Sequence, residues 1–457
     1  MYRRPGAHRM ESIRNLIEFP VGYIMIIRVC LLIFSLAISA SAQGWGEHMK
    51  VNPRRMEDRI LTLSQFGRNA EGGVSRVAFS EADVQGRNYI ISLMNEAELS
   101  VRIDTAGNII GRREGRDSSL PPILFGSHID SVPGGGNYDG DVGVIGAIEC
   151  AQVLGENKFV TRHPLEVVVF SDEEGGLVGS RAMIGQLKSD AMQVINASGK
   201  TIREGIRAIG GDPDRLREAH RKKGEIKAFV ELHIEQGGIL DSEKVQIGIV
   251  EGIVGINWWN VTVEGFANHA GTTPMDRRKD ALLAAAHLII AVNHAAKAIP
   301  GRQVATVGRI KAEPGAPNVI PGKVVMSLEI RDLSSEKINQ IFQSIQEEAS
   351  KIEQESGVKI SFQPLDVTAV PAPTDERIRR IIAEETKKLG FSFKFLPSGA
   401  GHDAQDMAQI APTGMIFVPS VGGISHSPNE YTRPEDMGNG ADVLLQTILR
   451  IDQTKLD

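Results

Sequence analysis

From about residue 50 to 255, short apolar runs alternate with longer stretches of helical period. Pro122–Phe125, Leu165–Phe170 and Ala228–His233 are nearly continuous in apolar residues, which predicts strands buried on both faces. Val142–Leu154 predicts a helix between two of them, and the charged stretch Thr201–Lys223 predicts a helical excursion on the surface. Strands separated by helices indicate an α/β sheet.

The pattern changes over residues 256–367. Trp258–Glu264 alternates as a half-exposed strand does, and Asp280–Ala296 is a long apolar helix. Val304–Ile310 and Val324–Arg331 predict strands, Ser335–Ser356 an amphipathic helix, and Val358–Phe362 a further strand. The order β-α-β-β-α-β is that of a ferredoxin-like unit. Helix Asp375–Leu389, strand Met415–Val418 and helix Ala441–Ile451 then return to the first pattern. The expected organisation is a catalytic domain from 43–255 and 368–457, with residues 256–367 inserted into it.

The N-terminus reads differently. Val29–Ile38 is an apolar run of ten residues, preceded by Arg28 and followed by Ala40-Ser41-Ala42. A bilayer span needs about 20 residues, so this predicts a cleaved signal peptide over residues 1–42 and an exported protein. Met25 would give a leader of more usual length, which makes it the expected true start.

The 457 residues carry a net charge of −6, so no basic excess exists for a nucleic-acid partner. Nothing beyond the leader suggests a stable membrane partner. There are two cysteines. Cys30 leaves with the leader, and Cys150 lies in an apolar stretch that predicts burial. Any metal must therefore be held by His, Asp and Glu.

Such residues gather at predicted strand ends: Ser127-His128-Ile129-Asp130, Asn137-Tyr138-Asp139-Gly140-Asp141, Ser171-Asp172-Glu173-Glu174-Gly175, His233-Ile234-Glu235-Gln236 and Ser425-His426-Ser427. The crevice beyond the carboxyl ends of strands is where open α/β sheets bind ligands. Imidazole and carboxylate donors without thiolates suit two divalent ions, zinc first, with manganese or cobalt as alternatives. Asp139 is the natural bridge between them, because its glycine neighbours allow close approach. Asp130 could hold the second nitrogen of the His128 ring. Side chains of the adjacent Glu173 and Glu174 diverge, so one can bind metal while the other acts as general base. No Gly-x-Ser-x-Gly elbow and no G-x-G-x-x-G after a strand is present.

GSHIDSVPGGGNYDGDVGV, FSDEEGG, ELHIEQG, FANHAGTTPM, PGAPNVIPG, EIRD, SGAGHDA and SHSPNE occur in this order. Together they resemble the di-metal amidohydrolases that include allantoate amidohydrolase, N-carbamoyl-L-amino-acid hydrolase and β-ureidopropionase, over about residues 50–450. The resemblance implies a zinc-peptidase-like catalytic domain with a mixed central sheet, and an inserted lid and dimerisation domain. It implies that His128 and His233 hold one metal, Glu174 and His426 the other, with Asp139 bridging and Glu173 as general base. It further implies that His269 crosses a homodimer interface to stabilise the oxyanion. Asn318 and Arg331 would grip the carboxylate of a small-molecule substrate. Gln236 would touch substrate, and Gly399, Gly401 and His402 would form part of its wall. The implied reaction is hydrolysis of a C–N bond in an N-carbamoyl amino acid or allantoate. An exported aminoacylase or dipeptidase of the same superfamily is the alternative, and a binding protein on an inactive scaffold is disfavoured because all six metal and base positions hold competent residues.

Overall fold

The computed structural model describes residues 49–365 and 369–456. The signal-peptide reading of residues 1–42 lies outside them. Residues 50–457 group as one compact unit.

The first half of the chain supplies β1 (Ser100–Ile103), β2 (Ile109–Arg113), β3 (Ile123–His128), β4 (Leu165–Phe170), β5 (Ala228–Ile234) and β6 (Ile247–Ile253). The middle supplies β7 (Gly255–Glu264), β8 (Asn268–His269), β9 (Val304–Thr306), β10 (Ile310–Glu313), β11 (Val319–Ile320), β12 (Lys323–Asp332) and β13 (Lys359–Pro364). β14 (Ala372–Pro373), β15 (Phe393–Ser398) and β16 (Thr413–Val418) complete the set.

Nine strands form a mixed sheet in the order β1-β2-β4-β3-β5-β16-β6-β14, with β15 also paired to β6. β4, β3, β5 and β16 run parallel at its centre. Every residue of these four strands is buried, which is why each reads as a mostly apolar run. Helices Asp141–Glu156, Pro434–Gln453 and Pro53–Leu63 pack together on the sheet. Cys150 is buried there, its thiol directed at the Ala441 carbonyl.

Five strands form a separate antiparallel sheet, β10-β12-β7-β13 with β9 also on β12. Its order and the helices Ala281–Ala298 and Ser335–Ser356 give the expected ferredoxin-like arrangement, with an apolar core of its own between helices and sheet. One expected strand, Val304–Ile310, is two. Thr306 pairs with Glu329 and Ile310 with Met326, so residues 307–309 oppose only 327–328. The extra residue is a β-bulge that interrupts the ladder.

Other departures have local causes. The surface helix ends at Ala208 instead of running to 223, because Gly210-Gly211-Asp212-Pro213 follows it. Its start is fixed by a capping box between Thr201 and Glu204. The last helix begins at Pro434, seven residues earlier than its apolar run suggests, with Pro in the first turn.

Gly126 sits inside β3 with φ +148°, and a Cβ there would stand 1.9 Å from the backbone oxygen of Val168 on β4. Backbone cannot give way as a side chain tip can. Gly126→Ala is therefore expected to cost about 2–4 kcal/mol, the sum of overpacking and an unfavourable φ. A denaturant titration that finds the variant as stable as the parent would refute this packing argument.

Candidate metal centre

The parallel strands deliver the site residues at their carboxyl ends. His128 ends β3, His233 is the penultimate residue of β5, Glu173 and Glu174 follow β4, and His426 follows β16. Asp139 lies just before helix Asp141–Glu156. Together with Gln236, Ile256, Arg331, Gly401 and the edge of His402, these residues line a cleft of about 380 Å³.

Asp139 stands at the middle. Its Oδ1 is 3.0 Å from His233 Nε2 and 3.8 Å from His128 Nε2. Its Oδ2 is 3.1 Å from His426 Nε2, which in turn is 3.3 Å from Glu174 Oε1. Two ligand groups result, His128–Asp139–His233 and Asp139–Glu174–His426, each with its donor atoms close enough to share one ion. This is the division the resemblance implied. Two buried donor atoms support it: among the described residues His233 Nε2 and Glu174 Oε1 have no partner outside the two groups, only Asp139 at 3.0 Å and His426 at 3.3 Å within them. A buried polar atom left unpaired is costly, and a cation would satisfy both. The residues present therefore fit divalent metal binding.

Glycines permit this approach. A Cβ on Gly140, which has φ +67°, would fall 2.5–2.6 Å from the His128 ring. A Cβ on Gly136 would overlap the Glu430 carboxylate at 2.1 Å.

Charges follow from these neighbours. Burial favours a neutral Asp139, yet His233, His426 and His128 hold its carboxyl well below the usual range. Burial works against a charged His233, but Asp139 opposite pushes it up to about 9. Hydrogen bonds to Asp139 and Glu174 push His426 up to about 10. His128 is lowered by burial. Glu173, buried with Oε2 3.8 Å from His128 Nε2, is pushed well above the carboxylate range by burial, then by Asp403, Glu174, Asp130 and Asp139. A carboxylate of raised proton affinity beside the ligands is suited to general-base work.

Several expected residues sit differently. The His128 Nδ1 faces the Asp130 backbone carbonyl at 3.0 Å, whereas the carboxylate is 3.7 Å away. That carboxylate instead accepts the amide N–H groups of Glu173 and Glu174, both at 3.2 Å. These amides open a short helix and have no partner within it, so Asp130 positions the turn that bears both glutamates. Gln236, at φ +55°, donates from Nε2 to Asp139 Oδ2 at 2.7 Å. His402 is 1% exposed, bonded to Ser398 Oγ at 2.7 Å, and its ring lies edge-on to His233 at 4.5 Å. It backs a metal ligand more than it faces the cleft. Arg331 lines the cleft but is paired with Glu329 and with the carbonyl of Gly399. His269 and Asn318 do not line it: β8 and β11 pair with each other, and both residues are exposed.

Two organising residues carry no signal that singles them out in sequence. Glu430 Oε1 accepts the amides of Tyr138 and Asp139, at 2.9 and 3.0 Å. Its Oε2 accepts Ser425 Oγ and the His426 amide, at 2.8 and 3.1 Å. It closes the SHSPNE motif, and only that adjacency hints at it. Buried Arg76 ties Asp141 Oδ2, at 2.5 Å, to the carbonyls of Ile129 and Leu63.

The chain matches the pattern of Peptidase family M20/M25/M40 over residues 124–450. It belongs to that family. The M20/M25/M40 assignment makes it a metal-dependent hydrolase. The chain is 41% identical over 408 residues to the N-carbamoyl-L-amino acid amidohydrolase of Geobacillus stearothermophilus, covering 88% of this chain and 99% of that one. It is 36% identical over 400 residues to the allantoate amidohydrolase of Bacillus subtilis, covering 86% and 96%. The crystal structure of a hydantoinase/carbamoylase-family amidase from Burkholderia multivorans superimposes with a TM-score of 0.83 at 34% identity, covering 89% and 100%.

Because Glu430 holds the backbone amides that lead into Asp139 and the amide of His426, Glu430→Ala is expected to weaken metal binding about 10–100-fold while the protein stays folded. Metal content after dialysis against graded chelator, with circular dichroism in parallel, reads this. Unchanged retention would show that the carboxylate is not needed to set the ligands.

Proposed function

We propose that the chain hydrolyses a C–N bond in the ureido group of an N-carbamoyl-L-amino acid, using two divalent ions, zinc first and manganese or cobalt as alternatives. The carrying observation is the Asp139 carboxylate, whose two oxygens face separate groups of ligands. The N-carbamoyl relative supports the substrate class. Allantoate is the second reading, supported by the Bacillus relative.

Ions held there would supply Lewis-acid charge to the carbonyl oxygen and acidify an attacking water. Glu173 takes that water's proton and returns it to the nitrogen that leaves. Its burial favours the protonated carboxyl, which suits it to hold the proton between the two steps. One ureido acid and one water then give the amino acid, ammonia and carbon dioxide. Arg331, at the cleft wall, receives the substrate carboxylate through its planar fork.

The proposal includes a homodimer. His269 and Asn318 are exposed and lie apart from the cleft of their own chain, so their implied roles need a second copy. Helix Ala281–Ala298 buries Ala284, Leu288 and Val292 against the five-stranded sheet and leaves Leu283 and Ile290 exposed. By length and composition alone this helix could cross a membrane. Its buried face is that of a core helix, and we assign the free face to the partner copy. The leader read in residues 1–42 supports an exported enzyme.

The test is ammonia release by the metal-loaded protein from N-carbamoyl-L-amino acids, N-carbamoyl-β-alanine and allantoate, beside amino-acid release from N-acetyl amino acids and dipeptides. Turnover of the first group, abolished by chelator and reduced at least about 10³-fold in Glu173→Gln with metal retained, is expected. Turnover of acetyl or peptidyl substrates alone would move the enzyme to the aminoacylase or dipeptidase reading.

The shared site is tested by mixing two inactive variants, His269→Ala and Glu173→Gln. Mixed dimers contain one site with both residues intact, so partial activity should return. No recovery after confirmed subunit exchange would place the oxyanion donor within one chain.

A further inference from the structure

Arg331 and Glu329 lie two apart on β12, so both point to the face of the five-stranded sheet that meets the cleft. Arg331 Nε donates to Glu329 Oε1 at 2.7 Å, and Nη2 to Oε2 at 3.2 Å. Nη1 donates to the Gly399 carbonyl at 2.6 Å. A guanidinium has five N–H donors in a rigid fork. Three are engaged among the described residues, one on each nitrogen. Two remain, one on Nη1 and one on Nη2, and the Nη1–Nη2 edge is the one that Glu329 leaves open. That is what the two oxygens of one carboxylate require for bidentate binding.

We propose that Glu329 is a positioning residue that holds the inner edge of Arg331 so that its outer edge faces the substrate carboxylate. Glu329 does not touch substrate. It removes the rotational freedom of a long side chain, and Gly399 fixes the third direction. Both residues are about one quarter exposed, so an untethered Arg331 would sample several rotamers. The inference rests on the reading of Arg331 as the carboxylate site.

A double-mutant cycle tests it, with steady-state kinetics on an N-carbamoyl-L-amino acid and on its carboxamide analogue. Glu329→Ala should raise KM for the acid about tenfold with kcat changed less than about threefold, and leave the carboxamide unaffected. In an Arg331→Ala background the same change should have no further effect on KM. Glu329→Gln, which keeps an acceptor and the side-chain volume, should fall between. An equal KM increase in both backgrounds would make Glu329 a structural residue and overturn the proposal. A fall in KM would overturn it too, by showing that Glu329 competes with substrate. If Arg331→Ala alone leaves KM unchanged, the carboxylate site itself is wrong, a failure distinct from that of Glu329.

Discussion

One buried carboxylate has to face two ways. Asp139 presents each oxygen to a different set of donors, and no rotation of the side chain alone could satisfy both. Its backbone must be fixed, its neighbours must be small, and the strands that bring His128 and His233 must end at the same level. The parallel core β4-β3-β5-β16 meets the last condition. Glycines at 136 and 140 meet the second, and Glu430 the first.

The surroundings are strongly acidic. Glu173, Asp130 and Asp403 are all buried, and burial and mutual repulsion push each well above the carboxylate range. So many buried acids are costly without compensating cations. The centre thus suits ions in its charge as well as in its donor geometry, and Glu173 gains proton affinity from the same crowding.

Much of this was legible in the chain. The four parallel strands are mostly apolar, because both faces are covered, and each metal-ligand candidate lies at or near the end of one of these strands or in a glycine-rich turn. The edge strand β1, its neighbour β2 and the segment β6 were not: β1 is short and mostly exposed, and β6 is broken by two glycines. Partners that act through the backbone leave no spacing rule. Asp130 looked like a partner for an imidazole and proved to hold two amides. Glu430 and Arg76 act on loops far from them in sequence. Arg331, read as a carboxylate anchor, is also held in an ion pair by Glu329, a pairing that its motif did not reveal.

The amides that Glu430 holds belong to Tyr138 and Asp139, 292 and 291 residues before it, and to His426, four residues before it. Contacts so distant in sequence form only after most of the chain has organised, since the loop they close is long and costly in entropy. Affinity for the ions therefore arrives late in folding, once the C-terminal segment has docked. A chain shortened ahead of residue 430 would lose this clasp together with the helix Pro434–Gln453 that packs on the sheet.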